Sequence, residues 1–192
     1  MPIDATSFGS VLIPAGYLWK RVVDKPDWLS AASVRDVYSL STCCSKAFAD
    51  DYFEAWKHND FWLFDSPEIM AEVARDSGAT IADCRLFYFE IFDFQFDDLS
   101  HAWSPLQPVL TVSLAVRLPE TKRLEGYDVV CFSSGHQPEC SPLSCNSLAA
   151  KLAVNEHCLF ATFAEATTAL EQGRFKKSEP GPFRIVAVYS MP

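Results

Sequence analysis

Glycine is scarce in this chain, seven residues among 192. No group of them forms the clustered loop that cradles a nucleotide phosphate. A Walker or dinucleotide-binding turn needs closely spaced glycines between a strand and a helix, so nucleotide binding of that kind is not expected. Basic residues are also few: 16 Lys and Arg stand against 25 Asp and Glu, for a formal net charge of −9. The densest basic runs are Lys122-Arg123 and Arg174 to Lys177. Phosphate backbones are held by clustered cations that release counterions. These runs are too short for such a footprint, and nucleic acid is not an expected partner. No stretch approaches the roughly eighteen uncharged apolar residues of a membrane span, so no membrane role is expected. The segment from Met1 to Ala15 lacks a basic flank and carries Asp4, unlike a secretory signal. Repeats, low-complexity tracts and linker-like segments are absent too, and a single globular domain over 1–192 is the expectation.

What remains is apolar and aromatic. Apolar residues make up 49% of the chain and charged residues 21%, which is ordinary for a folded globular protein. Fifteen Phe against three Met point to a core of large, stiff rings. The seven Cys are an odd number, and a chain of this length needs no disulfide staples. Free thiols in a reducing, cytoplasmic compartment are expected. The acidic surface serves solubility and would complement a basic protein partner. No cofactor is implied.

The helices are marked by their ends. Ser66 is placed to cap with Pro67 in the first helical position, Ile69, Met70, Val73 and Ala74 then share a face, and Gly78 stops the helix. A second helix begins at Thr162, which has capping-box spacing to Glu165; Phe163, Ala166 and Leu170 line one face and Gly173 offers the stop. A third helix is predicted over 50–58, with Phe48, Tyr52, Ala55 and Trp56 at helical spacing.

Strands are predicted at 11–23, bent near Pro14, at 86–96, and at 110–118. A further strand at 127–132 forms an antiparallel hairpin with 110–118. The segment 183–189 is apolar on both faces and reads as a central strand. The segment 34–42 fits helix or strand, with strand preferred. Loops are expected at 24–30, 101–107 and 133–146. Strands that cluster instead of alternating with helices indicate an α+β fold: a mainly antiparallel sheet of about five to six strands with about three helices packed on it.

Chemistry concentrates between Ser133 and Cys158. Three readings compete there. As metal ligands, Cys140, Cys145, His136 and His157 are types that zinc prefers. However, a second knuckle is lacking, and the adjacent His157 and Cys158 point opposite ways in extended backbone; no metal site is therefore assigned. As a catalytic group, Cys140 or Cys145 is the nucleophile, His136 or His157 the base, and Glu139 or Asn146 the orienting group. No known protease signature surrounds them. As structure, the cysteines are small buried hydrophobes and the Ser and Asn residues satisfy turns. Cys43-Cys44 is a vicinal pair that reads as two half-buried thiols. Glu90 falls among aromatics on its strand face, where a carboxyl titrates high and can serve as a general acid; the preferred expectation is that the strand twists and Glu90 reaches water or an Arg.

The preferred expectation is a non-enzymatic interaction module of inhibitor or immunity type, drawing on the acidic surface and on aromatics such as Trp103. The alternative is a small Cys/His-dependent hydrolase or transferase using Cys140, Cys145, His136, His157 and Glu139.

Overall fold

Both capped helices form as their ends dictate in the structure, a computed structural model that describes residues 11–44, 47, 58–106, 115–133 and 137–192. In chain order the elements are β1 (Leu12–Arg21), α1 (Pro67–Ser77), β2 (Cys84–Asp97), β3 (Ala102–Pro105), β4 (Arg123–Cys131), a short α2 (Pro142–Cys145), a 3-10 turn at Leu148–Ala150, α3 (Phe163–Glu171) and β5 (Phe183–Ser190). Ser66 accepts from the Ile69 amide, Pro67 opens α1, and Gly78 closes it at φ 70°. Thr162 and Glu165 complete a reciprocal capping box on α3, satisfying donors that a bare helix start leaves open.

The strands form one antiparallel sheet in the order β1-β2-β5-β4, with β3 added alongside β2. β1 pairs with β2 from Cys84 to Phe92, and β3 takes over at Phe94–Asp97. β5 fills the other edge of β2 and pairs with β4 beyond. All eight residues of β5 are buried, as a central strand apolar on both faces requires. Along β4 the side chains alternate between two cores. Val130 and Phe132 join the cluster that holds Met70 and Val73 of α1. Val129 and Cys131 join the cluster that holds Ala166 and Leu170 of α3. The sheet therefore lies between the two helices.

The predicted α+β class is the one observed, and β1 shows a register shift between Pro14 and Gly16, where the bend was expected. Some expectations are corrected. The segment 34–42 forms no regular strand; its one ladder contact is the bridge between Asp24 and Asp36. Its backbone is satisfied elsewhere: the amides of Arg35 and Asp36 donate to the Glu156 carbonyl and that of Tyr38 to the His157 carbonyl. The predicted loop 101–107 contains β3, where Trp103 is 8% exposed and packs on Phe92 and Phe96. Trp103 is thus a core residue and not part of a binding face. For the predicted strand 110–118, residues 107–114 lie outside the described ones. Its described end leads away from β4, since the Arg117 amide donates to the Asp65 carbonyl. The predicted helix 50–58 lies outside the described residues except for His58.

Among the described residues, no helix is long and apolar enough to cross a membrane.

Candidate metal centre

The loop after β4 folds back on the strand end. The Glu139 amide donates to the Cys131 carbonyl, and the Cys131 amide donates to the Cys140 carbonyl. Cys140 is thereby held beside the last residue of β4. Ser141 then precedes α2 in extended conformation and Pro142 occupies its first turn. The Cys145 amide donates to the Ser141 carbonyl at 2.8 Å. One helical turn thus returns Cys145 over Cys140.

A distant segment completes the group. Ser41 Oγ donates to the Glu139 carbonyl at 2.8 Å and accepts from the Cys43 amide at 3.3 Å. Cys43 Sγ reaches the same carbonyl at 3.5 Å. The result is a cluster in which the sulfurs of Cys43, Cys140 and Cys145 all lie within 4.8 Å of one another. Cys43 is exposed, while Cys140 and Cys145 are half-buried.

The thiols do not titrate independently. Hydrogen bonds from Cys140 and Cys43 hold the Cys145 thiol below the usual thiol range, against its hydrogen bond to Cys44 and burial. Cys140 is pushed up, chiefly because its hydrogen bond to Cys145 favours the protonated thiol. Cys44 is also lowered, mainly by a hydrogen bond from Cys145. A row of thiols in contact gives up its first proton readily and the next with difficulty.

The remaining sequence candidates lie elsewhere. The His157 ring places Nδ1 2.5 Å from Asp36 Oδ1 and Nε2 3.7 Å from Glu125 Oε2. It stacks on Tyr38 with ring centroids 4.0 Å apart. Its neighbour Cys158 is buried in the α3-side core and sits at φ 63°, so the extended backbone expected there is not what forms. The Glu139 carboxylate accepts from the Ser133 amide and hydroxyl. Asn146 donates to the Ser178 carbonyl and to Glu179. His136 lies outside the described residues. The structure therefore brings Cys140 and Cys145 together and adds Cys43, which sequence reasoning had set apart. Contact between the vicinal pair and the later loop leaves no mark of periodicity or spacing; the only signal was the cysteine content of both segments.

Two other polar groups have partners. Glu90 accepts from Tyr189 at 2.7 Å and pairs with Lys122 at 2.5 Å, a lysine where water or an Arg was expected. A cavity of about 460 Å³ lined by Arg85, Lys122 and Arg123 has two of its cations bound to Glu90 and Glu125.

No family model, curated protein or solved structure matches the chain.

Proposed function

We propose that the protein works by binding a soft metal ion, zinc foremost, through the thiols of Cys43, Cys140 and Cys145. The observation that supports this is the mutual approach of the three sulfurs within 4.8 Å. Zinc–sulfur bonds of about 2.3 Å set tetrahedrally arranged sulfurs about 3.8 Å apart, within reach of small side-chain rotations. Thiolates favour zinc and copper(I) over hard cations. The lowered Cys145 thiol supplies the first thiolate, and the metal displaces the other protons. Cys44, hydrogen-bonded to Cys145, is the candidate for a fourth position.

Binding is favoured over catalysis because the thiols contact one another, while His157 is engaged by Asp36. In this reading the ion ties the 41–43 turn to α2 and stiffens a non-catalytic module. The net charge of −9 supports a basic protein partner over nucleic acid. The free thiols fit a reducing, cytoplasmic setting.

Cobalt(II) titration under reducing conditions tests the assignment. One equivalent is expected to produce thiolate-to-cobalt charge-transfer and tetrahedral ligand-field bands that Cys145→Ser abolishes. Absence of these bands in the wild-type protein overturns it. A second reading, Cys145 as the nucleophile of a small hydrolase or transferase, is favoured by its lowered pKa. In that case iodoacetamide alkylates one thiol fast with or without zinc. Metal binding instead predicts slow alkylation with zinc and fast alkylation after chelation.

A further inference from the structure

A pair of buried charges is hydrogen-bonded to the two segments that carry the thiol cluster. Lys20 on β1 is 1% exposed and Asp128 on β4 is fully buried. The Lys20 ammonium donates to the carbonyls of Ser39, Leu40 and Ser41. The Asp128 carboxylate accepts from the hydroxyls of Ser39 and Ser141, each at 2.6 Å. Ser39 Oγ in turn accepts from the Ser41 amide at 3.0 Å.

We infer that Lys20 and Asp128 are the positioning residues of the thiol centre: together they fix the two chain segments that carry its sulfurs. This inference rests on the metal-binding reading proposed above. One side of the network holds the 39–41 carbonyls, and Ser41 Oγ passes that constraint to Cys43 and to the Glu139 carbonyl. The other side holds Ser141, whose carbonyl accepts the Cys145 amide and which directly follows Cys140. A single carboxylate therefore sets the separation of the two ligand-bearing segments through two serine hydroxyls. Burying a charge is costly unless it is hydrogen-bonded throughout. Satisfied polar networks also specify geometry more sharply than apolar packing does. Lys20 holds the backbone carbonyls of the 39–41 segment, and Asp128 holds a serine hydroxyl on each of the two segments. Orientation of ligands by such outer contacts typically changes metal affinity by about 10–100-fold.

The test compares Lys20→Met and Asp128→Asn with Val73→Ala, a cavity substitution on the α1 side of the core. Each variant is titrated with cobalt(II) at pH 7.5 under reducing conditions, and its metal-free melting temperature is recorded. Positioning predicts at least a tenfold loss of cobalt affinity and an altered ligand-field spectrum for both network variants. Val73→Ala should keep wild-type affinity and spectrum despite a lower melting temperature. If the network variants fail to fold, Ser141→Ala carries the test, and Ser141→Thr, which keeps the hydroxyl, is expected to rescue it. Wild-type affinity and spectrum in the network variants, or in Ser141→Ala, overturn the inference while leaving the metal site standing. Failure of the wild-type protein to bind cobalt overturns the metal site and the inference with it.

Discussion

Asp128 is a carboxylic acid with no exposure to water. Burial raises its carboxyl from 3.8 to about 6, opposed by the hydrogen bonds from Ser141 and Ser39. The folded chain therefore holds this proton more tightly than the unfolded chain does. The stability this confers is full below pH 3.8 and is lost as pH rises through about 6. The stability of the wild-type protein relative to Asp128→Asn should fall by roughly 2 kcal/mol between pH 4 and pH 7. Urea denaturation across that range measures it, and a constant difference would contradict the assignment. Gly126 is a second constrained position. It sits at φ 149° beside a register shift in β4, and an added Cβ would lie 2.6 Å from the Phe160 carbonyl oxygen. That carbonyl accepts the Tyr127 amide, so neither chain can retreat without breaking the bridge. Gly126→Ala is expected to cost about 2–4 kcal/mol in denaturant unfolding; a loss below about 0.5 kcal/mol would show that the two chains part easily there.

At the scale of elements, the parts legible in the sequence were those with local causes. Ser66, Pro67 and Gly78 mark α1, and Thr162 with Glu165 marks the start of α3, because caps act on amides only two or three residues away. Thr162→Ala should destabilise the fold by about 1 kcal/mol while Thr162→Ser stays near neutral. Thermal melts of the pair separate loss of the cap from loss of the methyl group. The long strand β2 and the central strand β5 were legible from length and apolar content. What failed were segments whose backbone bonds are satisfied by distant groups. Residues 34–42 carry a strand-like pattern, yet Lys20 and the 156–157 turn take up their carbonyls and amides. β3 was hidden because a short strand with Trp103 at its centre has too few residues to show alternation. The thiol centre was half legible. The pair at Cys140 and Cys145 stood out, but the approach of Cys43 depends on a contact between Ser41 and Glu139 that no local pattern encodes.

At the scale of the whole molecule, one sheet with α1 and α3 on opposite faces brings two loop systems to the same end of β4. The 39–44 segment enters from β1 through Lys20, and the 139–145 segment returns from β4 through Asp128. A metal bound there couples the 39–44 segment to the 139–145 segment and favours the folded state by mass action. Zinc at 100 times its dissociation constant is expected to stabilise the protein by about 2.7 kcal/mol, and a chelator to remove that gain. The pattern of free thiols carries the same expectation to chemistry: Cys131 and Cys158 are buried, with burial pushing the Cys131 thiol up to about 11. Neither should react with iodoacetamide in the folded state, so modification is confined to the cluster and to half-buried Cys84.

The most direct measurement is native mass spectrometry of the protein purified under reducing, chelator-free conditions. The account predicts one zinc ion per chain, lost in Cys145→Ser and in Cys140→Ser and retained in Cys84→Ser. A bare chain mass that stays bare after zinc is added would contradict it.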